Sequence, residues 1–123
     1  MIQVLVIDDD RHMRVACSRV LSAAGWSAIC AEDGVAGIQA LQSGEHNIDV
    51  VLLDQLLPGI SGMETLAQIQ AINPRLPVVI ITGSATEESA KEIKRMGAYD
   101  CLPKPFTPEQ LRTVILRAAS KPA

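Results

Sequence analysis

Apolar residues fall along this chain in two alternating textures. Val4-Leu5-Val6-Ile7, Val50-Val51-Leu52-Leu53 and Val78-Val79-Ile80-Ile81 are apolar at every position and stop at Asp8, Asp54 and Thr82. A strand buried on one face alternates with polar residues. A run without a polar position needs cover on both faces, as a parallel strand between two helical layers has. Two weaker strands are predicted near Ser27–Ala31 and Asp100–Leu102.

Between these runs the apolar period changes to that of a helix. Met13, Ala16, Cys17, Val20, Leu21 and Ala24 recur at three and four, with Arg11, Arg14, Ser18 and Arg19 off the stripe and Gly25 as a stop. Val35, Ile38 and Leu41 mark a second helix closed by Gly44, and Met63, Leu66, Ile69 and Ile72 a third ended by Asn73-Pro74. Ser84-Ala85-Thr86-Glu87 has the form of a capping box that opens a fourth helix, running to about Met96 with Gly97 as its terminator. Thr107-Pro108-Glu109-Gln110 opens a fifth, with a cap residue, proline at the first helical position and Leu111, Val114, Ile115 and Ala118 as its buried stripe. Five strands alternating with five helices predict one α/β domain with a parallel sheet over residues 1–119, and a frayed end or the start of a linker at 120–123.

Composition narrows the class. The 123 residues suit one domain, and 48% hydrophobic against 20% charged excludes disorder. Eleven basic and fourteen acidic residues give a net charge of −3, which argues against direct binding of nucleic acid or an anionic membrane by this segment. Cys17, Cys30 and Cys101 fit neither a paired disulfide framework nor a CxxC metal spacing, and Cys17 and Cys30 are expected as buried packing residues. No second ligand is spaced to make a zinc site with His12 or His46. The first ten residues lack the basic flank and apolar run of a signal peptide, and no stretch approaches the roughly 18 apolar residues that span a bilayer. The expected location is the cytoplasm.

Ligands of open α/β sheets bind outside the carboxyl ends of the strands. There the chain carries Asp8-Asp9-Asp10 after strand one, Asp54 after strand three, Thr82 after strand four, and Lys104-Pro105 after strand five. Carboxylates brought together repel unless a cation neutralises them, and hard oxygen donors select Mg²⁺. An ammonium and a hydroxyl beside such a site are donors for anionic oxygens. The combination suits a carboxylate that accepts a phosphoryl group, with Asp54 as nucleophile and Mg²⁺ and Lys104 screening the charge. Each part has a plainer alternative: the triple aspartate as a helix cap, Asp54 and Thr82 as ordinary strand ends, Lys104-Pro105 as a loop.

VLVIDDD at 4–10, VVLLDQLLPGISG at 50–62, VVIITGSA at 78–85 and GAYDCLPKPF at 97–106 follow one another in order and spacing. With these four segments the chain resembles, over essentially its whole length, the receiver domain of bacterial two-component response regulators. The resemblance implies a flavodoxin-like (βα)5 three-layer sandwich with strand order 2-1-3-4-5. It implies that Asp54 is the phosphoacceptor, that Asp9 and Asp54 bind Mg²⁺ directly with Asp8 acting mainly through water, and that the backbone carbonyl of Leu56 completes the protein's share. Thr82 is then the switch hydroxyl that moves onto the phosphoryl oxygen, Lys104 its charged partner, and Lys104–Pro105 a cis peptide. Pro58 and Gly62 shape the loop after Asp54 and start the third helix. The implied partners are a sensor histidine kinase or phosphotransfer protein, an output domain or protein on the face of helix four, strand five and helix five, and a second copy upon phosphorylation. The segment 97–106 resembles receivers that front nitrogen-regulator-type transcription activators, and Met1 on the first strand argues against an internal receiver of a larger hybrid kinase, with a single-domain regulator and an amino-terminal receiver both open.

The chain departs from the family in two places. Cys101 stands where receivers usually carry an aromatic residue that swings inward with the threonine; Tyr99, two residues earlier, would share its face by the period of two. Leu56 and Ser84, two residues after Asp54 and Thr82, occupy positions that in the family line the path of the hydrolytic water, and an apolar Leu56 implies slow to intermediate loss of the phosphoryl group. The other readings are a phosphorylation-silent interaction module, an aspartyl-phosphate phosphohydrolase and a flavin carrier. The phosphohydrolase signature DxDx[TV] is unmatched by Asp8-Asp9-Asp10-Arg11-His12. Three aspartates after strand one would repel a flavin phosphate.

Overall fold

The computed structural model describes residues 1–83 and 86–120. Strands β1 (Gln3–Ile7), β2 (Ser27–Ala31), β3 (Val50–Asp54), β4 (Val78–Thr82) and β5 (Asp100–Pro103) alternate with helices α1 (Arg11–Ala23), α2 (Gly34–Gln42), α3 (Gly62–Ile72), α4 (Glu87–Arg95) and α5 (Pro108–Ala119). All pairings are parallel, in the order β2-β1-β3-β4-β5. The sheet order expected from the family resemblance is thus the observed one.

The uninterrupted apolar runs are buried because each face of the sheet has its own core. Val4, Val6, Leu52, Val79 and Ile81 pack against Cys17 and Leu21 of α1 and Leu111, Val114, Ile115 and Ala118 of α5. The alternate residues Leu5, Ile7, Leu53 and Ile80 pack against Ile38 of α2, Leu66 and Ile69 of α3, and Ile93 of α4. With almost no aromatic mass available, the interior is built from branched aliphatic side chains. Edge strand β5 tolerates Pro103, which needs no ladder donor there. Among the described residues no helix is long and apolar enough to cross a membrane.

Local chemistry sets the helix ends. Asp10, Asp33, Ser61, Thr86 and Thr107 are N-caps, and the last two form capping boxes with Ser89 and Gln110. The fourth helix therefore begins two residues later than expected: Thr86 caps it and Ser89 is the reciprocal partner, while Ser84 and Ala85 lie outside the described residues. Lys121, Pro122 and Ala123 of the expected terminal segment also lie outside them.

Three packing expectations are corrected. Val35 is exposed, because α2 turns its Gly34, Gly37 and Ile38 face inward, where a side chain on Gly37 would collide with Ile7. Cys30 is exposed, since β2 is an edge strand. Tyr99 precedes β5 and packs against the core on the α1 and α5 side, whereas Cys101 packs against the opposite core. The period of two applies only within the pleated segment, so Tyr99 does not take the place of Cys101.

Gly62 fixes how α3 meets the end of β3. A Cβ there would stand 2.5 Å from the Asp54 carbonyl oxygen and 2.6 Å from that of Gln55, both backbone atoms that cannot step aside. Gly62 N–H donates instead to the Gln55 carbonyl at 3.2 Å. Gly62→Ala is expected to destabilise the fold by about 1–3 kcal/mol through overpacking. Denaturant unfolding checks this, and an unchanged midpoint would contradict the close approach.

Candidate functional site at the carboxyl edge of the sheet

The three consecutive aspartates divide their work. Asp10 caps α1, its Oδ1 accepting from His12 N–H at 2.9 Å. Asp8 is fully buried, and its Oδ1 accepts from Asp10 N–H at 2.9 Å. Asp9 is exposed. The helix-cap reading of the triplet is therefore right for one aspartate, while the other two join Asp54. Single carboxylate oxygens of Asp8, Asp9 and Asp54 lie within 4.8 Å of one another.

Asp54 ends β3 and is 6% exposed. Its Oδ1 accepts from Leu56 N–H at 3.2 Å, and its Oδ2 lies 3.6 Å from Lys104 Nζ. Lys104 follows the edge strand: its N–H donates to the Thr82 carbonyl at 2.8 Å, and its bond to Pro105 is cis. Thr82 is 2% exposed at the end of β4, and its hydroxyl donates to Gln55 Oε1 at 2.8 Å. The Leu56 side chain is 78% exposed and points no polar group at the site.

The electrostatics are unfavourable to three free carboxylates. Burial pushes the Asp8 carboxyl from 3.8 up to about 6, and the charge of Asp54 adds to the rise. The Asp10 N–H and the Lys104 ammonium oppose it. Among the described residues, Asp8 Oδ2 is buried without a hydrogen-bond partner. A buried acceptor of this kind costs about 1–3 kcal/mol unless something occupies it. Hard oxygen donors, an orphaned carboxylate oxygen and clustered negative charge together fit a small divalent cation such as Mg²⁺.

Two residues of the site were invisible to motif reasoning. Arg14 read as part of the polar face of α1, yet its Nη1 donates to the Asp8 carbonyl at 2.6 Å and ties the acidic turn to the helix. Gln55 read as the residue after an acid; only the β3–β4 register brings it to Thr82. Burial pushes the Cys17 thiol up to about 11, and burial with the neighbouring Asp100 charge raises that of Cys101.

A buried aspartate at the end of β3, two acids after β1, a threonine at the end of β4 and a lysine before a cis-proline now stand on one edge. The sequence matches the family described as response regulator receiver domain over residues 4–116. The chain belongs to that family.

It is a receiver domain of two-component response regulators. It is 37% identical over 117 residues to the DNA-binding transcriptional regulator NtrC of Escherichia coli K12, covering 95% of this chain and 24% of that protein. It is 36% identical over 115 residues to a cyclic di-GMP phosphodiesterase of Thermotoga maritima, covering 94% of this chain and 30% of the relative. The receiver domain of NtrX from Brucella abortus has the same fold, with a TM-score of 0.88, 33% identity and coverage of 97% and 99% of the two chains. The chain thus spans about a quarter to a third of the length of these two longer relatives.

The Asp8 carboxyl supplies a test of the site's electrostatics. It ionises at about 6 in the folded chain against 3.8 unfolded, so folding favours its protonated form. That contribution is full below about pH 4 and is lost as pH rises through 6. In metal-free buffer near neutral pH, Asp8→Asn is expected to stabilise the fold by about 1–3 kcal/mol. Denaturant unfolding across this range should show the difference between the two proteins shrinking as pH falls. A less stable variant would overturn the assignment.

Proposed function

We propose that this receiver is phosphorylated on Asp54 by the phosphohistidine of a sensor histidine kinase or of a phosphotransfer protein. The observation that carries the reading is the environment of Asp54: a nearly buried carboxylate with an ammonium 3.6 Å from one oxygen and two further acids beside it. In the transfer, an Asp54 oxygen forms a bond to phosphorus and the phosphorus–nitrogen bond breaks. The donor imidazole keeps that electron pair and takes up a proton. Lys104 pairs with the phosphoryl oxygens as charge moves onto the site, and burial keeps competing water away.

The residues that would hold Mg²⁺ are Asp9 and Asp54 directly, Asp8 mainly through water, and the Leu56 backbone carbonyl. When bound, the ion neutralises charge on the transferring group. The chain assists its own phosphorylation and dephosphorylation and is not a turnover enzyme. A kinase that draws on ATP puts the reaction in the cytoplasm.

The output reading follows from Thr82. When its hydroxyl moves onto a phosphoryl oxygen, the end of β4 and the following α4 shift with it. The α4–β5–α5 face then presents a changed surface to an output domain, an output protein or a second copy. Helix α4 is suited to this: among the described residues it buries only Ile93, and its charges pair locally as Lys91–Glu87, Arg95–Glu92 and Lys94–Asp100. Relatives of nearly equal identity are named for transcription and for cyclic di-GMP breakdown, so the receiver suits more than one output. We propose a transcriptional output, with any DNA contact made outside this acidic segment.

Two measurements check the chemistry. Intact mass after incubation with acetyl phosphate and Mg²⁺ is expected to rise by one phosphoryl group, without Mg²⁺ to rise far more slowly, and in Asp54→Asn not to rise. No gain in the native chain would leave a receiver fold working as a phosphorylation-silent interaction module. The second concerns lifetime. Leu56 offers no hydrogen bond to an attacking water, so Leu56→Asn is expected to speed phosphoryl loss by about 2–10-fold, the effect of one hydrogen bond. An unchanged decay rate would rule out that role.

A further inference from the structure

We infer that Gln55 is a latch on the switch, a positioning residue that holds the Thr82 hydroxyl in the unphosphorylated chain. The inference deepens the phosphoacceptor reading and rests on it.

Three observations carry it. The Thr82 hydroxyl, on a side chain almost removed from solvent, donates to Gln55 Oε1 at 2.8 Å across 27 residues of sequence. A hydroxyl has one proton to donate, so while it serves Gln55 it does not serve a phosphoryl oxygen. The Gln55 backbone is also held at both ends. Its N–H donates to the Ile81 carbonyl at 3.0 Å, and its carbonyl accepts from Gly62 N–H at 3.2 Å. The absence of a Cβ on Gly62 is what allows α3 to approach this closely. The Gln55 backbone is therefore held beside the acceptor, and release of the latch is assigned to the Thr82 side chain.

The consequence is a competition for one proton. In the free chain the Gln55 amide oxygen takes it. In the phosphorylated chain a charged phosphoryl oxygen, the stronger acceptor, takes it, and Gln55 is released. The latch thus lowers the population of the switched conformation before phosphorylation and subtracts one neutral hydrogen bond from the gain on phosphorylation. Removing it should favour the switched state by about 2–10-fold, the equilibrium effect of one such bond.

The test is a double-mutant cycle read by binding of fluoroberyllate with Mg²⁺, an unreactive mimic of the phosphoryl group. Gln55→Met keeps length and flexibility and removes the acceptor. Gln55→Met is expected to bind fluoroberyllate about 2–10-fold more tightly than the native chain. Placed on a Thr82→Val background, the same change is expected to have no effect. In the absence of metal and fluoroberyllate, the Thr82 methyl resonance should shift in Gln55→Met toward its position in the bound native chain. An equal tightening on both backgrounds, or no tightening with native Thr82, overturns the latch while leaving Asp54 as acceptor. Failure of the native chain to bind fluoroberyllate overturns the acceptor reading and the latch with it.

Discussion

Three central strands that each carry an unbroken four-residue apolar run can be kept dry only if helices cover both of their faces. Parallel strands joined by helical crossovers meet that demand, and they point every strand in the same direction. All five carboxyl ends therefore lie on one edge, and each loop that leaves the sheet there begins at nearly the same level. The proposed functional groups stand where the strands end and those loops begin. Asp8, Asp54, Thr82 and Lys104 meet because the Val, Ile and Leu runs ahead of them must be buried on both sides.

The second feature follows from the first and works against stability. A carboxylate at the inner end of a buried strand is itself buried, and Asp8 and Asp54 lie together with the Lys104 ammonium 3.6 Å from Asp54. The fold holds them with directional contacts: Asp10 N–H on Asp8, Leu56 N–H on Asp54, Arg14 on the Asp8 backbone. These contacts fix position without neutralising the surplus charge. The free domain thus carries a local electrostatic cost of the kind a divalent cation would relieve. In the proposed function, that cost is what would couple chemistry at Asp54 to the surrounding backbone.

The distribution of polar contacts shows where such a change is carried. The acidic turn is tied back to α1 by Arg14, and the start of α3 is seated against Asp54 and Gln55 by Gly62. The end of β4 is held by backbone bonds from Gln55 N–H to Ile81 and from Lys104 N–H to Thr82, with the side-chain bond from Thr82 to Gln55 added to them. Helix α4 beyond it buries a single side chain among the described residues. Cys101 on β5 packs against the core beneath α4 with a far smaller side chain than an aromatic ring, so movement there meets less steric coupling.

Most of the architecture was legible along the chain, because burial on two faces leaves an unbroken apolar run and helix ends carry their own capping chemistry. Those signals are local and need no partner. The fourth helix shows the limit even there: two cap-competent residues, Ser84 and Thr86, stand two apart, and a residue pattern does not choose between them. Val35 and Tyr99 show another limit, since which way an apolar residue turns depends on what faces it. The candidate acids, threonine and lysine were readable as residues, and their convergence followed from strand ends sharing an edge. The bonds among them were not. Arg14 to the Asp8 carbonyl and Thr82 to Gln55 join residues 6 and 27 positions apart, on elements whose relative placement exists only once the sheet is assembled. The sequence by itself determined which groups reach the edge, because hydrophobic period is written residue by residue. Only the tertiary structure decided which of them hold one another, because a hydrogen bond depends on distances that strand register and helix seating set together.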